Sequence, residues 1–413
     1  MMLRIKDIST KVGSGVTPRG GAEVYQDHGV PLYRSQNVTD DGFLLDDIAY
    51  ISEDIDASMS GTRIKPGDVL LNITGASIGR CYYTSPDFKR GNVNQHVCII
   101  RPIQKLVLSS YLHLLLISNQ GKEYIKLSQT GSGREGLTRE EIRQFSFDIP
   151  SLPVQRRIVS YLDSKTSEID QAISLLERKR EAYTRLKASV INRAVTRGLN
   201  PNVKLKDSGV EWIGKIPEGW KVKRFKEIFT KYTTGATPNS KNVDNFEGNN
   251  TWVTIADMTT KYVTESNLCL SDKSIKENQI PITRKGSLMF SFKLSIGKVA
   301  FASKDLFTNE AIVTLSPSKK YDLDYFYYYL PLVCDNNATE NIYGAKMMNQ
   351  KIIANMSFAL PPLPEQRSIA SYLDAECSKI DRAASIVEKE IDAYKRLKRS
   401  LINEVVTGKR KVD

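Results

Sequence analysis

The sequence predicts an α+β protein in which two globular domains are separated by two long helices that form an antiparallel coiled coil. Two observations lead to this fold class. A long segment of the chain occurs twice, and the remaining parts contain short apolar runs separated by turn residues. We expect a globular domain at 1–150, a helix at 151–200, a linker and second globular domain at 201–360, and a second helix at 361–413. The duplication further predicts a pseudo-twofold internal repeat.

The duplicated segment covers residues 150–196 and 361–407, which align at a constant offset of 211 without a gap. The two copies are identical at 26 of 47 positions, a level that chance does not produce. They begin with PSLPVQRRIVSYLD and PPLPEQRSIASYLD and end with YTRLKASVINRAVT and YKRLKRSLINEVVT. Weaker matches precede each copy, such as KVGSGVTPRG at 11–20 and KYTTGATPNS at 231–240. Each half of the chain is therefore a variable domain followed by a nearly constant helix.

Each constant segment predicts one long helix that begins after prolines, near Val154 or Glu365. Some forty residues at ~1.5 Å per residue give a rod of about 60 Å. Because a rod with one apolar stripe needs a partner stripe, we expect the two helices to pair with each other; an oligomerising coiled coil is the alternative. The expected heptad seam consists of Leu162, Ile169, Ala172, Leu176, Tyr183, Leu186 and Val190, with Leu373, Ile380, Ala383, Val387, Tyr394, Leu397 and Leu401 in the second copy.

The globular domains contain apolar runs such as DVLLNI, HVCIIRP, GSLMFSF and AIVTLSP, and each has an apolar helix, SSYLHLLLIS or DYFYYYLPLV. The tyrosines of the second helix, Tyr325 and Tyr327 to Tyr329, have a helical spacing that favours core packing over a platform for stacking nucleic-acid bases. Segment 198–220 is rich in Gly, Pro and Trp, and we expect a linker that packs on neighbouring structure.

The net charge of +12 suits a polyanionic partner such as nucleic acid. Residues 1–150 contribute none of it, because their 17 basic residues balance 17 acidic ones, so any DNA-binding face there must be local. The five cysteines are scattered without a CxxC pair, which indicates reduced thiols in a cytoplasmic protein and no zinc site. No apolar run approaches the ~20 residues that a membrane helix needs.

A glycine pattern, Gly131-x-Gly133-x-x-Gly136, is spaced as in a dinucleotide-binding loop. Only its middle glycine recurs at the offset of 211, as Gly344, and no apolar strand precedes it. Thr138 then begins a short helix, so the pattern indicates a loop, and a nucleotide-using enzyme is the alternative. The sequence also lacks a Walker loop, HExxH, GxSxG and [ND]PP[YF]. We therefore expect a chain without catalytic residues, metal site or cofactor.

The loops between the predicted strands carry polar and basic side chains that could contact the bases of DNA. Arg or Lys suits guanine, Asn or Gln suits adenine, and Glu or Asp suits cytosine. Stabilisation of a turn, or simple solvation, is the alternative role for about half of them. The candidates are Arg19, Arg34, Gln36, Asn37, Asn94, Gln95, His96 and Arg134 in the first domain, and Asn239, Lys241, Thr254, Asp257, Lys293, Asn309, Glu310 and Lys346 in the second.

Over essentially its whole length the sequence resembles the specificity subunit of type I restriction-modification systems. The resemblance rests on the paired PSLPVQRRIVSYLD and PPLPEQRSIASYLD segments, on YTRLKASVI and YKRLKRSLI, and on SGVEWIGKIPEGWKVKRFKEI at 208–228. It implies that each globular domain is a target recognition domain that reads one half of a bipartite, asymmetric site in double-stranded DNA. The helices would act as a ruler and as the docking surface for two methyltransferase subunits.

The resemblance also implies that restriction subunits, which translocate and cleave DNA, join this core. The assembled complex would be a DNA adenine methyltransferase and an ATP-dependent endonuclease. S-adenosylmethionine, ATP and Mg²⁺ would be bound by the partner subunits and not by this chain. A coiled-coil scaffold without a DNA function is the alternative. A scaffold does not explain why the two helices are similar in sequence while the two domains differ. This difference is expected if identical partner subunits bind the helices and different DNA sequences bind the domains.

Overall fold

A computed structural model describes residues 1–130, 136–340 and 346–412. The chain divides into two compact units. Unit 1 consists of Met1–Glu177 and Lys389–Asp413, and unit 2 consists of Arg178–Glu388. Each unit therefore combines one globular domain with a part of both long helices.

The described residues in the globular part of unit 1 form nine short strands and five α-helices. The strands are β1 (Met2–Arg4), β2 (Ser9–Ser14), β3 (Val30–Tyr33), β4 (Ala49–Ile51), β5 (Val69–Asn72), β6 (Cys81–Tyr83), β7 (Asn92–Val93), β8 (Val97–Pro102) and β9 (Ser146–Asp148). The helices are α1 (Ile5–Ile8), α2 (Glu53–Ser58), α3 (Ser109–Ile117), α4 (Asn119–Thr130) and α5 (Arg139–Gln144), and the long helix α6 (Leu152–Arg197) follows.

Besides the two-stranded sheet of β1 and β9, the described residues of this domain form two sheets. The larger has the strand order β2-β8-β5-β6 and is antiparallel, and the smaller has the order β4-β3-β7. In the smaller sheet β3 runs parallel to β7, with Leu32 opposite Asn92 and Tyr33 opposite Val93. β1 pairs with β9, which brings the first strand of the domain to its last.

Unit 2 contains the strands β10 (Leu205–Asp207), β11 (Lys215–Pro217), β12 (Lys221–Arg224), β13 (Thr233–Thr234), β14 (Asn250–Val253), β15 (Tyr262–Val263), β16 (Cys269–Leu270), β17 (Leu288–Ser291), β18 (Val299–Ala302), β19 (Phe307–Thr308), β20 (Ile312–Leu315), β21 (Thr339–Glu340), β22 (Lys346–Met347) and β23 (Ser357–Leu360). Its helices are α7 (Phe225–Ile228), α8 (Asp272–Glu277), α9 (Leu323–Asn337) and α10 (Gln350–Asn355), followed by the long helix α11 (Leu363–Val406).

The larger and smaller sheets of unit 2 repeat those of unit 1, with one additional strand, β15, at the edge of the larger sheet. Its larger sheet has the order β13-β20-β17-β18-β15, its smaller sheet the order β16-β14-β19, and β12 pairs with β23. As in unit 1, the middle strand of the smaller sheet runs parallel to one neighbour, with Trp252 opposite Phe307 and Val253 opposite Thr308. The predicted α+β fold class and internal repeat are therefore confirmed.

The long helices have 46 and 44 residues, somewhat more than the forty expected. α6 ends where Gly198, with φ +72°, takes the left-handed conformation that glycine adopts at low cost. In unit 2 an ion pair joins Arg180 to Glu388 at 2.9 Å, and another joins Lys187 to Asp381 at 2.7 Å. Because the residue number rises in one helix as it falls in the other, the helices are antiparallel. The predicted pairing of the two helices is confirmed.

The helices also complete the domain cores. In unit 1, Leu162 of α6 and Leu401 of α11 belong to the same buried cluster as Phe147 and Tyr111 of the domain. In unit 2, Val195 of α6 and Leu373 of α11 belong to the cluster that contains Phe358. The amphipathic helices therefore bury their apolar faces against a domain as well as against each other.

The expected seam is wrong at one pair of equivalent positions, Leu186 and Leu397, and also at Tyr394, which is 37% exposed. Leu186 is 48% exposed and Leu397 is 51% exposed, whereas Leu373 is fully buried. The next residue in each copy, Lys187 or Lys398, reaches an aspartate on the other helix instead. A straight helix has ~3.6 residues per turn, so its buried face drifts away from a strict seven-residue pattern.

Two smaller predictions are confirmed in unit 2. Tyr325 and Tyr329 are fully buried, Tyr328 is nearly so, and Tyr327 is partly buried against the same cluster. These tyrosines therefore form core rather than a stacking platform. The segment after α6 folds back onto its unit, where Trp220 is 1% exposed and donates from its indole nitrogen to the Glu365 carboxylate at 3.0 Å.

Candidate nucleic-acid interface

In unit 1, three loops that carry candidate residues meet where the parallel strands β3 and β7 end. The amide of Asn94, just after β7, donates to the carbonyl of Tyr33, the last residue of β3, at 3.3 Å. The segment after β2 joins them, because the amide of Val16 donates to the Val93 carbonyl at 3.2 Å. Parallel strands end at the same edge of a sheet, so the topology brings together loops distant in sequence.

Unit 2 brings the equivalent loops together in the same way. The amide of Asn309, just after β19, donates to the carbonyl of Val253 at the end of β14, at 3.1 Å. The amide of Ala236 donates to the Thr308 carbonyl at 3.1 Å. Gly235 precedes this contact and permits it, since a Cβ at that position would overlap the Thr308 carbonyl. We call these two groups of converging loops the strand-end loops.

The side chain of Arg34 is held inside the first strand-end loops. Its guanidinium donates to the Asp47 carbonyl at 2.7 Å, lies 3.3 Å from the Asp47 carboxylate and is 5.7 Å from the centre of the Tyr25 ring. Gln36 is exposed, and its amide donates to the same carboxylate. A partner with a stronger acceptor would have to compete with Asp47 for both side chains.

Three of the candidates shape the loops instead of presenting free groups. Asn37 is 1% exposed, and its amide donates to the carbonyls of Leu44 and Asp47 while its oxygen accepts from the Arg34 amide. At the equivalent place in unit 2, the Asp257 carboxylate accepts from the amide of Thr254 at 2.7 Å and from its hydroxyl at 2.9 Å. For Asn37, Thr254 and Asp257 the turn-stabilising alternative is therefore the one that the geometry favours.

Asn94 and Asn309 each hold a tight turn at the end of a strand. In both, the side-chain oxygen accepts from the amide two residues later, that of His96 or Ala311, at 3.2 Å. This bond leaves the intervening residue, Gln95 or Glu310, exposed at the turn. We call residues 94–97 and 309–312 the tip turns.

Three basic candidates lie in the loops that follow β2, β13 and β17. Arg19, Lys241 and Lys293 are all exposed, and Lys293 holds its ammonium 5.6 Å from the centre of the Phe292 ring. Exposed cations of this kind suit contacts with the phosphates of nucleic acid. Asn239 uses its side-chain oxygen to accept from the Lys241 amide at 3.0 Å, and so orders the loop that carries Lys241.

Two further candidates are Lys346 and Arg134. Lys346 forms an ion pair with Asp335 at the end of α9. Arg134 lies outside the described residues, as do the first two glycines of the pattern that resembles a dinucleotide-binding loop.

Two ionisable side chains have pKa values shifted by their surroundings, Asp374 on α11 and His113 on α3. In unit 2, burial would raise the pKa of Asp374, but bonds from Lys261 at 2.7 Å and from the Tyr328 hydroxyl at 2.6 Å hold it below its usual value. In unit 1, burial lowers the pKa of His113 to about 4. Its Nε2 lies 3.0 Å from the Asp40 carbonyl and donates to it, which fixes the neutral tautomer.

Among residues 1–130, 136–340 and 346–412, no group of three or more His, Cys, Asp or Glu is placed to hold a metal ion. No helix within the described ranges is both long enough and apolar enough to cross a membrane.

A family model described as the type I restriction modification DNA specificity domain matches residues 1–178 and 217–391. The chain belongs to this family. The two matches include the strand-end loops of both units, so the two domains that the family model describes are the two repeats seen in the fold.

Individual relatives agree with this assignment. The chain is 23% identical over 418 residues to the MjaX specificity subunit described for a type I restriction enzyme of Methanocaldococcus jannaschii, covering 99% of this chain and 93% of the relative. A chain in a solved structure of a type I restriction-modification system superposes with a TM-score of 0.73 at 17% identity, covering 99% of this chain and 98% of the other. The HsdS subunit from Thermoanaerobacter tengcongensis superposes with a TM-score of 0.53 at 18% identity over 99% and 97% of the two chains.

The repeated segments of this family member contain a glutamine whose role the sequence alone did not reveal. Gln155 is fully buried, accepts from the Leu108 amide at 2.9 Å and donates to the carbonyls of Leu106 and Pro150. Gln366 is 1% exposed and makes similar contacts in unit 2, where it accepts from the Asp322 amide at 2.9 Å and donates to the Pro361 carbonyl at 3.0 Å. Both glutamines therefore tie a long helix to the start of the domain's apolar helix. Identity at the offset of 211 was the available signal.

Proposed function

We propose that this specificity-family chain recognises a bipartite, asymmetric DNA site, with one half read by the strand-end loops of each unit. The observation that carries the proposal is the contrast between the two repeats. Both units build the same strand-end loops on the same topology, yet they place different side chains there, such as Gln95 and Glu310. Two copies of one frame with different polar side chains are suited to two different half-sites.

In this proposal the chain is not itself an enzyme. Two methyltransferase subunits dock on it, and restriction subunits that translocate and cleave DNA join the assembly. S-adenosylmethionine, ATP and Mg²⁺ bind to those partners. The division into target recognition domains at 1–150 and 201–360 and spacer helices at 151–200 and 361–413 is part of the same proposal.

The exposed faces of the helices support the docking part. Unit 1 exposes Leu175 of α6 and Leu397 of α11, which are 64% and 51% exposed. Unit 2 exposes the residues at the offset of 211, Leu186 and Ile386, which are 48% and 58% exposed. Large apolar residues repeated on both helical pairs are suited to identical partner subunits.

Methylation mapping tests the proposal. The chain is expressed with its methyltransferase subunit in a host that lacks other modification systems, and methylated adenines are mapped across the genome by long-read sequencing. We expect one motif with two specified parts of different sequence separated by unspecified bases. A palindromic motif, or methylation that does not depend on this chain, would contradict the proposal, and the second result would favour a scaffold without a DNA function.

A further inference from the structure

The two tip turns have the same backbone structure and differ mainly in one exposed side chain. In the first, the Val97 amide donates to the Asn94 carbonyl at 3.2 Å, and in the second the Ile312 amide donates to the Asn309 carbonyl at 3.3 Å. Each asparagine also fixes its turn to the neighbouring parallel strand and to the amide two residues later. The second residue of each turn is therefore held in a defined place with its side chain outside.

In the first turn that residue is Gln95, and its amide is oriented by a short chain of hydrogen bonds. Its Nε2 lies 3.2 Å from Nε2 of His96, and Nδ1 of His96 lies 2.6 Å from the Thr74 hydroxyl. Because an amide nitrogen only donates, His96 accepts at Nε2 and carries its proton on Nδ1. One hydrogen on Gln95 Nε2 and the oxygen Oε1 stay without a partner among the described residues. A donor next to an acceptor matches N7 and N6 of adenine.

In the second turn the equivalent residue is Glu310. One carboxylate oxygen accepts from the Thr237 hydroxyl, and no described residue donates to the other. A carboxylate near DNA is repelled by the phosphates, so its position there is favourable only where it meets a donor. In the major groove, the N4 amino group of cytosine is such a donor.

We propose that Gln95 and Glu310 are specificity-determining residues at equivalent positions, with Gln95 selecting an A·T pair in one half-site and Glu310 selecting a C·G pair in the other. This inference rests on the proposed function. It adds the identity of the base pair that is selected at one position in each half-site. Asn94 and Asn309 act as positioning residues, because their side-chain oxygens bond within the turn.

The test exchanges the amide and carboxylate side chains at these two positions. Complexes of the methyltransferase subunits with wild-type, Gln95→Glu or Glu310→Gln chains are bound to a duplex library in which each position of the mapped site varies in turn. A wrong base pair at a contacted position typically weakens binding about tenfold to hundredfold. We expect Gln95→Glu to shift one position of one half-site from A·T towards C·G by that factor. Glu310→Gln should cause the opposite shift in the other half-site only.

Each variant is a control for the other, because the half-site that it does not touch must keep its preferences. Glu277→Gln, which removes one exposed negative charge at the end of α8, controls for charge alone and should bind as wild type does. Unchanged preferences in either exchange variant would overturn the inference. So would changes in both half-sites, or loss of all binding where Glu277→Gln binds. A wild-type complex without any two-part preference would instead refute the proposed function, and this inference with it.

Discussion

Burial separates two kinds of residue within the strand-end loops. The sequence placed Arg34, Gln36 and Asn37 in one candidate site, because all three side chains can bond to bases. The structure keeps Gln36 exposed and buries the Asn37 amide among backbone groups. The sequence could predict the polar loop. It could not predict that Gln36 is exposed while Asn37 is buried, because the Asn37 side chain bonds to the carbonyl of Asp47, ten residues away.

The difference in burial between Gln36 and Asn37 predicts different effects for two adjacent alanine substitutions. Asn37→Ala leaves the carbonyls of Leu44 and Asp47 and the Arg34 amide without their partner. We expect a loss of about 2–3 kcal/mol in the free energy of unfolding, because buried polar groups lose their bonds. Gln36→Ala should change it by less than about 0.5 kcal/mol, since this side chain is exposed. Urea unfolding followed by circular dichroism measures both, and equal losses would contradict the distinction.

His113 predicts how the stability of unit 1 depends on pH. Its folded pKa of about 4 lies below the value of about 6.5 expected after unfolding, so the unfolded state binds more protons between these pH values. Stability from this group is full above pH ~6.5 and falls as the pH drops to ~4, by about 3 kcal/mol. His113→Gln can keep a donor to the Asp40 carbonyl without titrating. Over this range we expect the wild type to lose about 3 kcal/mol more than the variant, and parallel curves would show that His113 does not titrate as inferred.

Secondary-structure elements were predictable to the extent that they depend on local sequence. The helices followed from the prolines, the apolar spacing and the exact repeat, and their pairing followed from the need to cover an apolar stripe. The parallel pairing of β3 with β7 was not predictable, because it joins segments about sixty residues apart through short strands without a distinctive pattern. The strand-end loops depend on that pairing, so the sequence supplied their residues but not their convergence.

The exposed leucines of the helices predict a variant that separates folding from assembly. Leu186 and Leu397 lie outside the cores, so lysine at both positions should leave the melting temperature within a degree or two. If these residues contact methyltransferase subunits, the double variant should no longer elute with them in size-exclusion chromatography. Leu373→Lys is the contrasting control, since a charge at this fully buried position should prevent stable folding. Normal assembly by the double variant would place the docking surface elsewhere.

At the scale of the whole molecule, the contacts between domain and helix explain how variable domains can share one constant frame. Among the described residues, the Gln155 side chain bonds to backbone groups of the first domain, those of Leu106, Leu108 and Pro150. Such groups exist whatever side chains the domain carries. β1 and β9, which close the domain, pair with each other and would be replaced together. A domain from another family member should therefore fit the same helix if it keeps the buried face that meets Leu162 and Leu401.

This argument predicts the outcome of a domain exchange. Replacing residues 1–149 with the equivalent domain of a relative should change one half of the methylated motif and leave the other half intact, because the strand-end loops of unit 2 lie wholly within that unit. Methylation mapping in cells that express the chimera with the methyltransferase subunit measures both halves at once. Gln155→Leu in the chimera is the matched control. It removes the backbone bonds and should lower the stability of parent and chimera by the same amount, about 2–3 kcal/mol, if both domains use the same attachment. A chimera that recognises an unrelated motif in both halves would show that the two domains do not read DNA independently.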